Sequence, residues 1–257
     1  MTNIWAIAYK EIRSYFLSPI AYVVMAGFLL IFGFMFWNML AQFSRFVAIY
    51  SSMQRPELMA QLNLNDMVIT PLLGNMVVVF ILIMPLLTMR LFAEERANAT
   101  DELLLTSPLS TLEIALGKFG GAAMFLLILL GLAFIYPAVL LYYGDPEIPR
   151  ILTGYLALLL IGLSALSLGL FTSTLTDNQV VAGVLAGGMM LMLLLIGWPA
   201  DSVGENAGAV LRYLSITDHS GDMMRGLVNL EDLVYYLSLI AVGIFLSQRS
   251  LESLRWR

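Results

Sequence analysis

Residues 90–118 read RLFAEERANATDELLLTSPLSTLEIALGK, and this stretch decides how the chain is organised. It lies between two long apolar runs and carries eight charged side chains: Arg90, Glu94, Glu95, Arg96, Asp101, Glu102, Glu113 and Lys118. Arg90, Glu94, Ala97 and Asp101 fall on one helical face, as do Glu95, Asn98 and Glu102, so the spacing predicts a helix closed by Ser107-Pro108. Ser110 or Thr111 is placed to cap a second helix that runs into the next apolar segment. Two readings of the stretch stay open. One is a solvated loop held by Glu–Arg pairs worth a few tenths of a kcal/mol each. The other is a lever that docks into a soluble partner.

Around this stretch the composition demands lipid as solvent. The chain has 257 residues, 60% hydrophobic and 12% charged, with a mean hydropathy of +0.87. A soluble domain holds about 45–50% apolar and about 25% charged residues. No fold of this length hides the excess from water. Cysteine is absent, which excludes disulfides, thiolate metal sites and cysteine nucleophiles. A net charge of −5 offers no basic footprint for nucleic acid. The first apolar run starts after Arg13 and is too long for a signal-peptide core, so no cleavable signal is expected.

Six apolar segments are long enough to cross a hydrocarbon core of about 30 Å: residues 19–41, 69–89, 119–142, 151–174, 180–198 and 233–248. Before the first, residues 4–17 place Ile4, Ala8, Ile12 and Tyr15 on one face and Lys10, Arg13 and Ser14 on another. This is the pattern of a helix lying in the membrane interface; a frayed start to the first span is the alternative. Ser18-Pro19 suits a bend between the two. Residues 42–68 read as an extracytoplasmic loop with some short helix. Pro85 is expected to kink the second span, and Tyr136-Pro137 to break the third. GDPEIPR (144–150) is a turn, and TLTDNQ (174–179) a tight hairpin. Gly162, Ser164, Ser167, Gly169, Gly183, Gly187 and Gly188 allow close helix approach, which serves packing or lines a pathway. Residues 199–232 are broken by charges and fit half-inserted or surface helices on the far side.

An even number of spans puts both termini on one side. Lys10, Arg13, Arg90, Arg96, Lys118, Arg249, Arg255 and Arg257 share that side, against Arg45, Arg55, Arg150, Arg212 and Arg225 on the other. Eight against five favours cytoplasmic termini. No repeat or low-complexity tract is present, so 1–257 reads as one membrane domain.

The six spans hold no Asp, Glu, Lys, Arg or His. Proton-coupled carriers keep such a residue at mid-bilayer although it costs at least about 2.5–3.5 kcal/mol, so this pattern argues against an ion-coupled carrier. It also argues against a membrane-embedded enzyme, which needs an acid–base pair. His219 is the single histidine and no HExxH occurs, which excludes a metalloprotease. His219 itself is expected at the surface or as a cap. Gly117-Lys118 ends like a P-loop, but Leu112 and Phe119 break that pattern on both sides. The chain carries no recognisable energy source of its own.

The central stretch resembles the cytoplasmic coupling region of type-2 ABC exporter permeases. That pattern is an E-E-R cluster, then G-T-x-E-x-L-L, a proline and I-x-x-G-K. The matches are Glu94, Glu95, Arg96, Thr100, Glu102, Leu104, Leu105, Pro108, Ile114, Gly117 and Lys118, with Ala99 where glycine is usual. YKEIRSYFLSPIAYV (9–23), HSGDMMRGLVNLEDLVYYLSLI (219–240) and SLESLRWR (250–257) are similar to the gliding-motility-type, GldF-like, subgroup. The resemblance covers essentially the whole chain.

It implies an all-α membrane protein of six transmembrane helices in a bacterial cytoplasmic (inner) membrane. An amino-terminal interfacial connecting helix (1–18) would carry Lys10, Glu11 and Arg13. A cytoplasmic coupling region (90–118), with its helix over 92–107, would present Glu94, Glu95, Arg96, Thr100, Glu102, Leu104 and Pro108 to a motor. Re-entrant extracytoplasmic helices would fill 199–232. The implied partners are two ABC ATPase subunits, which would hold the ATP and Mg while this chain binds no cofactor. A second permease chain, identical or related, and a GldG-like auxiliary membrane protein with an extracytoplasmic domain complete the set, together with membrane lipid. The implied function is export of a lipid-linked, polymeric or other amphipathic cargo. The alternative is a mechanotransmitter that moves the auxiliary protein and passes no substrate.

Overall fold

The computed structural model describes residues 2–53, 56–59, 62–100 and 108–255. Among them every regular element is helical. Helix α1 (Thr2–Leu17) is followed by α2 (Pro19–Ser52), the short α3 (Pro56–Met59) and α4 (Thr70–Thr88), which a π-turn at Asn65–Ile69 precedes. A brief α5 (Ala93–Ala97) leads to α6 (Thr111–Ala133), α7 (Ile135–Tyr143), α8 (Ile148–Leu175) and α9 (Gln179–Leu195). A 3-10 turn at Trp198–Asp201, α10 (Glu205–Leu214), α11 (Ile216–Met224) and α12 (Leu230–Arg255) complete the chain. Six helical stretches are long and apolar enough to cross a membrane.

Local chemistry sets the boundaries. Ser18 caps α2 by accepting from the Ile20 N–H, and Pro19 occupies the first turn, where its missing N–H costs nothing. Ser110 and Glu113 form a reciprocal capping box at the start of α6. Asn178 caps α9 through the Val180 and Val181 N–H groups, which makes the 176–178 turn the expected hairpin. The third span breaks at Phe134, before the expected Tyr136-Pro137, because a proline disrupts the helix one turn upstream: Pro137 has no N–H for the Ala133 carbonyl and its ring crowds it. Pro71 acts the same way on α4. The ladder widens there to a π-turn, with the Thr70 N–H on the Asn65 carbonyl.

The largest departure from expectation is α2. Residues 42–52 continue the helix instead of forming a loop, giving 34 residues and a length of about 51 Å at 1.5 Å per residue. Only about 30 Å of that can lie in hydrocarbon. The polar residues Asn38, Gln42, Ser44 and Arg45 on its distal half are exposed, so they are tolerated as helix because neither water nor helix leaves a backbone group unsatisfied.

Helix α8 is the centre of the bundle, with 67% of its membrane-spanning window buried, whereas α9 has 17%. Small residues explain how neighbours reach it. A Cβ on Gly243 of α12 would lie 2.8 Å from the Ser167 backbone carbonyl carbon, and one on Gly162 would lie 2.6 Å from Leu126 of α6. Gly169 meets Thr88 of α4. Gly183 and Gly187 of α9 rest on Met89 and Pro85, whereas Gly188 faces open space. These positions act in packing, where interhelical contact is made by close backbone approach. The end of the bundle holding residue 18, residues 88–100, 108–111, 175–179 and the end of α12 is called the near end below; the opposite end holds α10 and α11.

Candidate functional site

Helix α1 lies along α6, and glycines bring the two together. A Cβ on Gly117 would sit 2.6 Å from the Ile7 Cβ, and one on Gly121 would sit 2.5 Å from the Glu11 Cβ and 3.0 Å from the Ala8 carbonyl. Ala8 and Tyr15 are buried in this contact while Lys10, Arg13 and Ser14 stay exposed, so the amphipathic face read from sequence is the one used. Tyr15 stacks on Phe125 at 5.1 Å and donates its hydroxyl to the Leu87 carbonyl at 3.1 Å. Burial pushes the Tyr15 phenol up from its ordinary value, so it serves as a fixed donor.

Lys118 is the hub of the near end. Its side chain is 3% exposed. The ammonium lies 2.9 Å from Glu95 and 3.4 Å from Glu11, and donates to the Leu91 carbonyl. The Phe92 ring lies 4.9 Å away. Three donors and three acceptors satisfy an ammonium fully. Lys10, mostly exposed, approaches the same Glu95 at 3.7 Å. Glu11 thus turns inward although its helix neighbours Lys10 and Arg13 face out. One lysine ties α1, α5 and α6 together, and neither the P-loop test nor the motif match at Lys118 pointed to this tie. The clue available in the sequence was a lysine beside Gly117, on a helix whose neighbour carried a single acidic residue.

Arg90 and Arg96 extend the tie in opposite directions. Arg90 pairs with Glu94 at 3.5 Å and reaches the Ser18 hydroxyl at 3.4 Å, at the bend between α1 and α2. Arg96 pairs with Asp177 at 2.7 Å and donates to the Thr174 carbonyl at 3.0 Å, which fastens α5 to the α8–α9 hairpin. Arg255 donates to the Leu109 carbonyl and Thr111 to Glu252, so the end of α12 closes on the start of α6.

A cleft of about 750 Å³ opens between α1 and this segment. Of the residues singled out from sequence, Lys10, Glu11, Glu94, Glu95 and Thr100 line it together, with Arg90 and Lys118. Arg96 points away toward α8 and α9, Arg13 is exposed outside the lining, and Pro108 stands next to the lining residue Leu109. Glu102, Leu104 and Leu105 lie outside the described residues. The cleft is chemically an ion-pair surface lined by three cations and three carboxylates. It can hold a polar segment in register.

The helix expected over 92–107 is shorter in the described residues. It ends at Ala97, and Asn98 caps it through a 3.1 Å bond to the Glu94 carbonyl. The reason is Ala99, whose φ of +53° is left-handed. Thr100 then folds back, donating both its N–H and its hydroxyl to the Glu95 carbonyl at 2.9 and 3.2 Å. Ala99 stands where the resembling pattern has glycine, and the backbone adopts the conformation that glycine would favour. Ala99→Gly is therefore expected to stabilise this turn by up to about 1 kcal/mol. Hydrogen exchange at Thr100 reads it directly: slower exchange is expected, and faster exchange would mean the turn is held by other contacts.

His219 departs from the surface or capping position expected for it. It is 6% exposed, wedged between α10 and α12 at the opposite end of the bundle. The helix carries it there: Ile216, His219, Ser220, Met223 and Met224 share one buried face of α11, at the spacing of an amphipathic helix. Arg150 at the same end pairs with Asp66 and, at 2.8 Å, with Glu147. Among the described residues no cluster of His, Cys, Asp and Glu has the geometry to hold a metal.

Comparison with known proteins agrees with a membrane-spanning bundle. No curated protein matches the chain. The family model of the ABC-2 type transporter matches residues 2–228, from α1 into the loop that follows α11. This is most of the chain, and the six apolar helices make it a multi-pass membrane protein. The chain belongs to the ABC-2 type transporter family, as the membrane-spanning permease component of such a transporter.

Proposed function

We propose that the chain is the non-catalytic permease subunit of a type-2 ABC exporter of the GldF-like subgroup, driven by ATPase subunits on separate polypeptides that hold the ATP and Mg. The observation that carries this reading is the ion-pair cleft at the near end. Exposed Lys10 and half-exposed Glu94 face outward there, while Lys118 anchors the same segment to a spanning helix. A push delivered to α1 or to residues 90–100 is passed to α6 through Lys118 and to the α8–α9 hairpin through Arg96. In this reading α1 is the interfacial connecting helix, 90–118 the cytoplasmic coupling region and 199–232 the re-entrant extracytoplasmic region. Both termini face the cytoplasm across the bacterial inner membrane. A second permease chain completes the pathway.

Cargo of lipid-linked, polymeric or other amphipathic character fits helices whose exposed faces are apolar, since such cargo can enter sideways from lipid. Purification in mild detergent from the native membrane is expected to bring down an ABC ATPase and a second permease chain, with a GldG-like auxiliary protein. Recovery of this chain alone would remove the coupling assignment. Within the recovered complex, Glu102→Lys is expected to abolish coupling of ATP hydrolysis while leaving the helical bundle intact. Wild-type ATPase stimulation by that variant would refute the role given to Glu102. Stimulation of the ATPase by lipid or polymer separates export from mechanotransmission through the auxiliary protein, in which no such stimulation is expected.

A further inference from the structure

At the end opposite the cleft, α10 and α11 form a short hairpin whose joint exposes a row of backbone carbonyls. Side chains of α11 and α12 take up three of them. His219 Nε2 meets the Tyr213 carbonyl at 2.9 Å, the Tyr235 hydroxyl donates to Leu214 at 2.8 Å, and the Tyr236 hydroxyl donates to Ile216 at 2.9 Å. The imidazole stacks on Tyr235, with ring centroids 4.1 Å apart and planes inclined by 17°. Tyr213 and Tyr236 meet it edge-on. Its other nitrogen, Nδ1, lies 2.7 Å from Asp232 Oδ1 on the first turn of α12.

The donors and acceptors in this arrangement count out to two hydrogens, one on Nε2 and one shared by the pair. A carbonyl only accepts, so Nε2 carries a hydrogen. A carboxylate oxygen facing Nδ1 at 2.7 Å requires one more hydrogen between them, held by either atom. Whether imidazolium with carboxylate or neutral imidazole with carboxylic acid, the pair is neutral and holds the same proton. Without it, a lone pair would face a carboxylate at contact distance in a site where both residues are 6% exposed. Asp232 Oδ2 is buried with no hydrogen-bond partner among the described residues, so the attachment of Asp232 depends on His219.

The other charges at this end are engaged elsewhere or exposed: Arg212 of α10 pairs with Asp201, and Glu205 and Arg225 are exposed. Helices α4 and α9, which also touch α11, present no ionisable residue. Helix α8 brings only Tyr155 and Arg150, and Arg150 is engaged by Asp66 and Glu147. On α11 itself Asp222 accepts from Asn229, and Asp218 lies at the cap made by Ser215. On α12, Glu231 is exposed beside Asp232.

We propose that His219 and Asp232, sharing one proton, latch the hairpin of residues 205–224 to the last spanning helix, and that the hairpin leaves the bundle only by breaking this latch. The proposal rests on the geometry of the pair and holds whichever way the chain is oriented in the membrane.

His219 is the single histidine of the chain, which makes it its own reporter. In the full-length protein in lipid nanodiscs, with nitrogen-15 in histidine only, NMR is expected to show one imidazole with hydrogen on Nε2 and a strong hydrogen bond at Nδ1. The averaged spectrum of a free, exchanging imidazole would overturn the latch. Carboethoxylation by diethyl pyrocarbonate, located by mass spectrometry, should be slow at His219 and about tenfold or more faster in Asp232→Asn, since opening no longer breaks a charge-assisted bond. Equal rates in the two proteins would also overturn it. Tyr235→Phe, which keeps the stack and loses one hydroxyl, should lie between them. If Asp232→Asn does not fold, the wild-type spectrum alone decides, because it tests the shared proton directly.

Discussion

Lys118→Met is expected to destabilise the protein by about 3–5 kcal/mol, the cost of removing one partner from a buried ion pair. The side chain it replaces is 3% exposed and neutralises Glu95 and Glu11 at once. Methionine fills much of the volume, so the loss is electrostatic: two carboxylates remain against the Leu91 carbonyl with no cation between them. Lys10 cannot replace it, because its ammonium lies in solvent at 3.7 Å from Glu95. The cost should be largely recovered in the triple variant Lys118→Met, Glu95→Gln, Glu11→Gln, since an apolar or neutral replacement of the whole set removes the stranded charges. Denaturant unfolding in mixed micelles measures both. A loss below about 1 kcal/mol in the single variant would show that water reaches the cluster and that the tie between α1, α5 and α6 is made by packing. An equal loss in the triple variant would show the same.

Gly121→Val should detach α1 from the bundle. The first added carbon already falls 2.5 Å from the Glu11 Cβ and 3.0 Å from the Ala8 carbonyl, and a branched side chain adds two more. The Ala8 carbonyl is helix backbone and cannot yield alone, so the helix must lift as a unit. Overpacking of this kind costs about 1–3 kcal/mol, and lifting also draws Glu11 away from Lys118, which adds to it. Gly120→Ala supplies the control, because its Cβ would stand 3.6 Å from the Ala8 Cβ, an ordinary contact. The same distance offers a reporter. A disulfide needs a Cβ separation of about 3.5–4.5 Å, and the chain has no cysteine of its own. Ala8→Cys with Gly120→Cys is expected to oxidise readily in the otherwise unaltered chain and to fail when Gly121→Val is added. Efficient crosslinking in both would mean α1 accommodates the valine without moving.

These two variants test one mechanical claim from different sides. Lys118 is the electrostatic connection and the Gly117–Gly121 face is the steric one. In the proposed coupling, a push at the near end would pass to α6 through both.

Much of this was legible in the residues, and for a common reason. Transfer of apolar side chains into lipid is additive along the chain, so runs of about 20 residues declare six spans without any knowledge of neighbours. Caps are equally local: Ser18, Ser110 and Asn178 bond to backbone groups two or three residues away, and each helix starts where such a residue stands. The amphipathic face of α1 followed from its period alone. Likewise the stretch 90–118 stood out because it is polar between two spans.

What tertiary structure decided was the connections between charges far apart in the sequence. Lys118 finds Glu11 on a helix 107 residues earlier, and Arg96 finds the Thr174 carbonyl 78 residues later. Helical spacing had suggested only partners three or four residues apart, and of those the Arg90–Glu94 pair is present. The partners His219 meets on α10 and α12 were also outside its reach, because they depend on which helix lies alongside. Hydrophobic partition and capping are properties of a segment, whereas the register between two helices sums over contacts from both, and no single segment contains it.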